Sequence, residues 1–160
     1  MVIRVVRFVL LVVLGLLVGS MFGIWAGYNP STLSAAAFIE QHQNAVGGLN
    51  TLLPLMGGSC IALTIVLVAT SGNDRRTRYL LMIASLLMVA AALVTRFGNQ
   101  PINAMVMTWN AQSPGADWTQ LRDSWWQWHI VRTGSALVAY MLVVFTTQWP
   151  SKASTLHQPA

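Results

Sequence analysis

Residues 5–28 read VVRFVLLVVLGLLVGSMFGIWAGY, and this stretch decides the class of fold. Between Arg7 and Tyr28 it contains no charged side chain. Because a helix rises about 1.5 Å per residue, a run of this length crosses the roughly 30 Å hydrocarbon layer of a bilayer. A secretory signal peptide also follows N-terminal arginines, but its apolar core is only about 7–15 residues long. The stretch therefore predicts a transmembrane helix that is retained in the mature protein.

Three further apolar runs extend this prediction to the whole chain. Only 8% of the 160 residues are charged, whereas soluble domains carry about 25%, so a separate soluble domain is excluded. We predict one all-α domain over residues 1–150, an integral membrane four-helix bundle, followed by a polar tail at 151–160. The predicted helices cover about 5–28, 49–70, 78–97 and 125–148, with outer loops at 29–48 and 98–124.

The distribution of arginines predicts how the bundle sits in the membrane. Positive charge lies at the N-terminus and in the second-to-third connection, whereas the connection over residues 29–48 has no Lys or Arg. Since positively charged loops stay in the cytoplasm, both termini are expected there, in the plasma (inner) membrane of a bacterium. These topology signals explain the net charge of +5, so we predict no nucleic-acid partner. The arginines concerned are Arg4, Arg7, Arg75, Arg76 and Arg78.

Glycines repeat at every fourth position of the first helix. Residues four apart lie on one helix face, and small residues there allow another backbone to approach closely in lipid. The repeat predicts tight packing, either against a helix of the same chain or against a second copy in a homo-oligomer. Membrane lipid is the other expected partner of the helices. The glycines are Gly15, Gly19, Gly23 and Gly27.

Five of the seven tryptophans lie in the third-to-fourth connection or at its junction with the fourth helix. Tryptophan favours the membrane–water interface because its ring is amphipathic, so one interpretation is an interfacial belt. The other is an aromatic wall over a ligand site, in which Trp126 stacks on a flat molecule. The five are Trp109, Trp118, Trp125, Trp126 and Trp128.

His129 and Arg132 lie three positions apart at the start of the fourth helix and share a face. A charged arginine at membrane depth costs several kcal/mol unless it is paired or reaches the headgroups. Arg132 is therefore either an interfacial residue or part of a functional site together with His129.

The third helix ends in the sequence RFGNQPIN, residues 96–103. Pro101 predicts either a kink or the start of a new helix, because proline lacks the N–H of a helical hydrogen bond. A kink would free backbone carbonyls at membrane depth, and the side chains of Asn99 and Asn103 are suited to satisfy them. The same two asparagines, together with Arg96, are candidates for binding a ligand.

Glu40 and His42 are the titratable residues of the first outer connection. Glu40, the only glutamate, is a candidate partner for Arg96 or Arg132. Because several helices end on this side, seven polar residues are expected to converge in one outward-facing pocket: Glu40, His42, Arg96, Asn99, Asn103, His129 and Arg132. Glu40, His42 and His129 match no recurrent metal-ligand spacing, and P-loop, CxxC and GxSxG motifs are absent. We therefore predict neither a metal nor a cofactor.

The N-x-P-x-N segment at 99–103, followed by W-x-x-H-x-x-R at 126–132, resembles the DUF1772 or anthrone-oxygenase-like family of small four-helix membrane proteins. The resemblance covers nearly the whole chain. It implies oxidation of polyketide anthrones to anthraquinones without a known conventional cofactor. It offers no clear counterpart for Glu40 or His42, whose roles rest on topology alone. The site residues that it favours are Asn99, Asn103, His129 and Arg132.

Two functions fit these residues. In the first, an enzyme oxidises a lipophilic phenolic or polyketide substrate. His129 is then the candidate base, since an imidazole titrates near neutrality, and Arg132 stabilises the developing oxyanion. In the second, the chain is a non-enzymatic membrane module that binds a small lipophilic molecule or serves as a subunit of a larger membrane complex. The glycine-faced first helix and the polar outer mouth fit both.

Overall fold

The computed structural model describes residues 1–148, and within them it contains helices and no strand. A 3₁₀ turn at Pro30–Thr32 and a π-helical turn at Thr95–Asn99 accompany the α-helices. The α-helices are α1 (Val2–Gly27), α2 (Ala35–Leu49), α3 (Leu52–Ala69), α4 (Arg75–Val94), α5 (Gln100–Val106) and α6 (Trp118–Gln148).

Four long helices form a closed ring. Helix α1 packs against α3 and α6, and α4 packs against the same two helices. Chain order then makes each neighbour in the ring antiparallel to the next. The short helices α2 and α5 pack together at the end where α3 and α6 begin. We call this end, formed by residues 28–52 and 95–132, the loop-rich end.

The apolar core of the ring comes from side chains that recur every three or four positions on each helix. On α1, Leu10, Leu14 and Leu17 are buried, and on α4 the buried set includes Leu81 and Met88. This spacing places each set on one face of its helix. The apolar half of the bundle is therefore held by ordinary helix-on-helix packing.

The outward faces of these helices carry large apolar side chains, among them Phe8, Leu86 and Phe97, each more than 60% exposed. Such a surface is stable where lipid replaces water. Within the described residues, four helical runs are long and apolar enough to cross a membrane. The predicted all-α membrane bundle is confirmed, and the chain is a membrane protein. The runs are Val2–Thr32, Leu52–Ala69, Arg75–Val106 and Trp118–Gln148.

The helix that starts at Arg75 is longer than predicted. It does not end near residue 97 but continues through the π turn and α5 to Val106. Pro101 occupies the first turn of α5, where its missing N–H is tolerated. A π turn contains one extra residue per turn, which changes the helix register just ahead of the proline. The helical run is therefore continuous from Arg75 through Pro101 to Val106.

The two predicted outer loops are also more helical than hydropathy indicated. Most of 29–48 is α2, which begins after Ser34, whose Oγ accepts a hydrogen bond from the backbone N–H of Ala37 at 3.3 Å. Helix α6 starts at Trp118 instead of residue 125. The sequence WTQLRDS at 118–124 is too polar to be recognised by hydropathy, but Trp118 and Leu121 pack into the loop-rich end.

The glycine repeat of α1 packs within the chain at one position only. A Cβ added at Gly15 would lie 3.4 Å from the hydroxyl of Tyr140 on α6, in close contact. The same atom at Gly19, Gly23 or Gly27 would have no neighbour within 4 Å. Packing within the chain therefore does not explain the repeat, and a homo-oligomer through this face stays a prediction. The predicted tail at 151–160 lies outside the described residues.

Candidate functional site

Arg132 lies inside the loop-rich end and is only 9% exposed. Its Nε and Nη2 donate to Nδ1 of His129 at 3.3 and 3.0 Å, and Nη1 makes a long hydrogen bond of 3.5 Å to Thr95 Oγ1. Among residues 1–148 no carboxylate forms an ion pair with it. A guanidinium has five N–H donors. Arg132 is thus a buried, uncompensated cation with remaining capacity to bind an anion.

His129 is fully buried and both of its ring nitrogens are engaged. Because an arginine only donates, Nδ1 must be the acceptor, and the hydrogen then resides on Nε2. Nε2 lies 3.1 Å from the backbone carbonyl oxygen of Met21 and donates to it. The ring also lies nearly parallel to those of Trp125 and Trp126 and packs against both, with centroid distances of 5.3 and 5.6 Å. His129 therefore holds the Arg132 guanidinium in a fixed place.

Asn103 connects three other elements. The indole Nε1–H of Trp125 donates to Asn103 Oδ1 at 2.9 Å, and Nε2 of His42 lies 3.1 Å from the same oxygen. The Asn103 Nδ2 group donates to Asn50 Oδ1 at 3.1 Å. Through this one side chain, α5 is tied to α2, to the α2–α3 junction and to α6. The network orients His42 and Trp125 relative to each other.

A cavity of about 230 Å³ opens beside this network. Its polar lining includes His42, Asn103 and Arg132, while Ile24 of α1 and Leu53 of α3 contribute to its apolar wall. An apolar cavity of roughly 150 Å³ holds one benzene molecule. The cavity is therefore large enough for a flat molecule of more than one ring, with one cation and one imidazole against it.

A second cavity of about 230 Å³ adjoins the first, between the four long helices. The two cavities share Leu53, Pro54, Thr95 and Arg132. Small and aliphatic side chains line most of the second, and Arg96 contributes to its lining. Arg132 accordingly lines both cavities.

The tryptophans divide between the two predicted roles. Trp25 and Trp128 are exposed at the bundle surface, as an interfacial belt requires. Trp109, Trp118 and Trp126 instead pack in an aromatic cluster at the loop-rich end, which also includes the following buried residues. These are Phe38, Ile39, Ile102, Val106 and Trp125. Only Trp125 of this cluster lines the first cavity.

Two buried polar atoms at the loop-rich end have no hydrogen-bond partner among residues 1–148: Tyr28 Oη and Asn99 Oδ1. Buried polar groups are nearly always hydrogen-bonded. Tyr28 lines the first cavity, while its hydroxyl oxygen is buried. Asn99 lines neither cavity, and its Nδ2 donates to the backbone oxygen of Trp125 at 3.0 Å.

His42 is neutral at physiological pH. Burial lowers the pKa of its imidazole from 6.5 to about 4; the hydrogen bond to Asn103 opposes this shift and the charge of Arg132 adds to it. The ring is also packed edge-on against Trp125, with a centroid distance of 4.9 Å. Within residues 1–148 there is no group of three or more His, Cys, Asp or Glu side chains arranged to hold a metal ion.

The expected convergence of seven polar residues occurs for three of them. His42, Asn103 and Arg132 line one cavity, and Arg96 reaches only the adjoining one. Glu40 is exposed and forms no ion pair with either arginine. The remaining candidates are packed behind the cavity walls and line neither space: Asn99, Trp126 and His129.

The cavity residues that were not singled out from the sequence as ligand contacts include Tyr28, Asn50 and Thr95. Tyr28 was noted only as the end of the first helix. Asn50 follows a Gly-Gly pair in a connection with no motif, and Thr95 is one of many hydroxyl residues in apolar runs. A usable signal was polarity next to Arg96 and Pro101, which marks the irregular turn where Thr95 lies.

Comparison with known proteins gives one family. The family model described as anthrone oxygenase matches residues 43–142, which is more than half of the chain. The matched segment contains Asn103, His129 and Arg132, whereas Tyr28 and His42 precede it. No curated protein and no solved structure matches the chain. With the four-helix membrane architecture described above, the match identifies the chain as a member of the anthrone oxygenase family.

Proposed function

We propose that the protein oxidises a lipophilic phenolic or polyketide substrate of the anthrone class in the cavity beside Arg132. The family match supports the reaction class. The observation that carries the proposal is the uncompensated Arg132 guanidinium, buried in an apolar bundle and facing a cavity large enough for a multi-ring molecule. A buried charge without a partner is costly. A substrate that becomes anionic supplies the missing partner.

The chemistry balances with molecular oxygen as the oxidant. An anthrone carries a methylene group between aromatic rings, opposite its ketone. Loss of one methylene proton leaves an electron pair that delocalises onto the ketone oxygen, where Arg132 stabilises the charge. Overall, CH₂ and O₂ become C=O and H₂O. One oxygen atom forms the new carbonyl, and the other leaves as water with both hydrogens.

The walls of the cavity suit such a substrate. Trp125 and Tyr28 contribute aromatic side chains to the wall. The apolar side chains of α1 and α3 match the hydrocarbon edge of a flat tricyclic molecule. A substrate dissolved in lipid would also meet a bundle whose outer faces are apolar.

The test is oxygen uptake by the purified protein in detergent or nanodiscs, with anthrone as the probe and the protein-free rate subtracted. We expect one O₂ consumed per anthraquinone formed. Arg132→Met should lower kcat/KM by about 10²–10³-fold, the loss typical of removing an oxyanion-stabilising donor. Arg122→Met is the matched control. Arg122 forms an ion pair with Asp123 at 2.8 Å, and neither residue lines a cavity. Binding of anthrone without oxygen uptake would instead favour a non-enzymatic binding module.

For the orientation, we propose that the loop-rich end faces away from the cytoplasm of a bacterial plasma membrane. The support is the charge distribution: Arg75, Arg76 and Arg78 lie at the opposite end of the bundle. Single cysteines at Ser113 and Asn73, one at each end, test this with a membrane-impermeant thiol reagent on intact cells. Labelling at Ser113→Cys and not at Asn73→Cys is expected; the buried Cys60 gives little background.

A further inference from the structure

We propose that His42 is the catalytic base of this site, accepting the substrate proton on Nδ1, and that His129 is a positioning residue for Arg132. The inference rests on the proposed function, because it names the group that starts the oxidation. It exchanges the roles that the sequence motif favoured, since the W-x-x-H-x-x-R segment contains His129 and not His42.

The tautomer of His42 follows from its neighbours. Indole Nε1 of Trp125 can only donate, and it lies 2.9 Å from Asn103 Oδ1. That contact identifies the atom as the amide oxygen and not the amide nitrogen. His42 Nε2, 3.1 Å from the same oxygen, must therefore carry the hydrogen. In a neutral imidazole the lone pair then lies on Nδ1, to which no residue of the described chain is hydrogen-bonded.

His129 is set up in the opposite way. Its Nδ1 lone pair accepts two N–H groups of Arg132, and its Nε2–H donates to Met21. The ring is fully buried and lines neither cavity. To act as a base it would first have to release the guanidinium. His42 needs no such rearrangement, because its ring lines the cavity with a free lone pair.

The position of His42 relative to Arg132 suits proton removal. Both side chains line the same cavity, one from α2 and the other from α6. The methylene C–H bond of the substrate breaks, its proton moves to His42 Nδ1, and its electron pair stays on the substrate as an anion beside Arg132. When oxygen has reacted, the imidazolium returns this proton to the oxygen atom that leaves as water. The base is then neutral again.

The surroundings of His42 keep this base uncharged between turnovers. The titratable or charged groups that line the cavity with it are Arg132 from α6 and Tyr28 from the end of α1. Helix α3 and α5 contribute uncharged residues, and no carboxylate lines the cavity. Glu40, on α2 itself, is exposed to solvent. No nearby negative charge therefore holds the imidazole in its protonated form.

The experiment separates proton removal from oxidation by excluding oxygen. Anthrone is added anaerobically to the protein in nanodiscs, and formation of the bound anthrone anion is followed by its long-wavelength absorbance. The critical variant is His42→Gln, whose side-chain amide can still donate to Asn103 Oδ1 but cannot accept a proton. The matched comparison is His129→Gln. Oxygen is then admitted, and anthraquinone formation is measured for each protein.

We expect the anion band in the wild type and its loss in His42→Gln, with a 10²–10⁴-fold fall in kcat, the range for general-base removal. His129→Gln should keep the band and the pH profile but bind anthrone more weakly, because Arg132 is less well held. A band that persists in His42→Gln overturns the base assignment while leaving the proposed function intact. Absence of both band and turnover in the wild type overturns the proposed function as well.

A second variant keeps the assignment testable if His42→Gln does not fold. Asn103→Asp places a carboxylate against the Nε2–H of His42 and makes Nδ1 more basic, as carboxylate partners do for imidazoles. The acid limb of the pH profile of kcat should then move to higher pH. An unchanged acid limb in folded, active Asn103→Asp protein argues that His42 is not the base.

Discussion

The two ends of the bundle are built by different means. Away from the loop-rich end, the long helices share an apolar core of aliphatic side chains such as Leu10 on α1 and Leu81 on α4. At the loop-rich end, hydrogen bonds join helices: Trp125 of α6 donates to Asn103 of α5, and His129 of α6 donates to the backbone carbonyl of Met21 on α1. In lipid, packing alone suffices to associate helices. The hydrogen-bonded polar residues at the loop-rich end are therefore not needed for helix association, which makes them candidates for a functional site.

The comparison predicts that activity and stability separate at the polar end, most strongly at Arg132. Arg132→Lys keeps a positive charge but loses the planar fork that donates twice to His129. We expect a loss of kcat/KM of about 10²-fold and a loss of only about 1 kcal/mol in stability, from the hydrogen bonds that Arg132 donates to His129. Oxygen uptake and thermal unfolding in the same detergent measure the two. Equal losses in both would remove the distinction between the ends.

Acid should destabilise the polar end through His42. Its pKa is about 4 in the folded protein and 6.5 when exposed, so the unfolded chain binds a proton that the folded chain does not between these values. The contribution of neutral His42 to the free energy of unfolding is fully present above pH 6.5. It declines as the pH falls and is lost below pH 4, a change of up to about 3 kcal/mol. Unfolding followed by tryptophan fluorescence from pH 8 to pH 4 tests this. His42→Gln should reduce this pH dependence.

At the apolar end, a new cavity should lower stability and leave the activity of the folded protein unchanged. Leu10→Ala removes a fully buried side chain that lines neither cavity. We expect a loss of about 2 kcal/mol in the free energy of unfolding, at the lower end for such changes because lipid offers no hydrophobic penalty. The kcat of the remaining folded protein should stay within about twofold. A large fall in kcat at full folding would mean that the two ends are coupled.

The last prediction concerns the stability of the π turn at Gly98. A Cβ there would lie 2.7 Å from Trp128 Cγ, so the ring or the helix must shift. Gly98→Ala should cost about 1–3 kcal/mol, as for an overpacked site. Gly27→Ala is the control, since an added Cβ meets nothing within 4 Å, and it should change stability by less than about 0.5 kcal/mol. Indistinguishable melting temperatures for the two variants would contradict the packing described at Gly98.

Hydropathy and charge predicted the membrane architecture well, because a long uncharged run such as residues 5–28 has few alternative structures. The family followed from the two short motifs at 99–103 and 126–132. In the first outer connection, Ser31 or Ser34 was suited to cap a short helix through Phe38 to Asn44, and α2 follows Ser34. Hydropathy did not mark the first turns of α6, since they are polar and held by aromatic contacts from elsewhere in the chain. The extension through Pro101 was equally hidden, because a π turn has no sequence pattern of its own.

Three residues of the candidate site, His42, Asn103 and Arg132, were singled out from the sequence, but their arrangement was not. The type and depth of Arg132 were enough to single it out, since a charge in an apolar helix needs a reason. The proposed exchange of roles between His42 and His129 could not be foreseen. It depends on which lone pair is left free after Asn103, Trp125 and Arg132 have made their hydrogen bonds, and sequence spacing contains no information on that.

The π turn at Thr95–Asn99 sets the angular position of everything that follows it. Each residue of an α-helix turns the chain by about 100°. Deleting one residue from this turn, so that an ordinary α-helix forms, would swing Asn103 by about that angle away from Trp125 and His42. The presence or absence of one residue in this turn would then decide whether the side-chain amide of Asn103 faces the cavity or the lipid, although no residue of the site is changed.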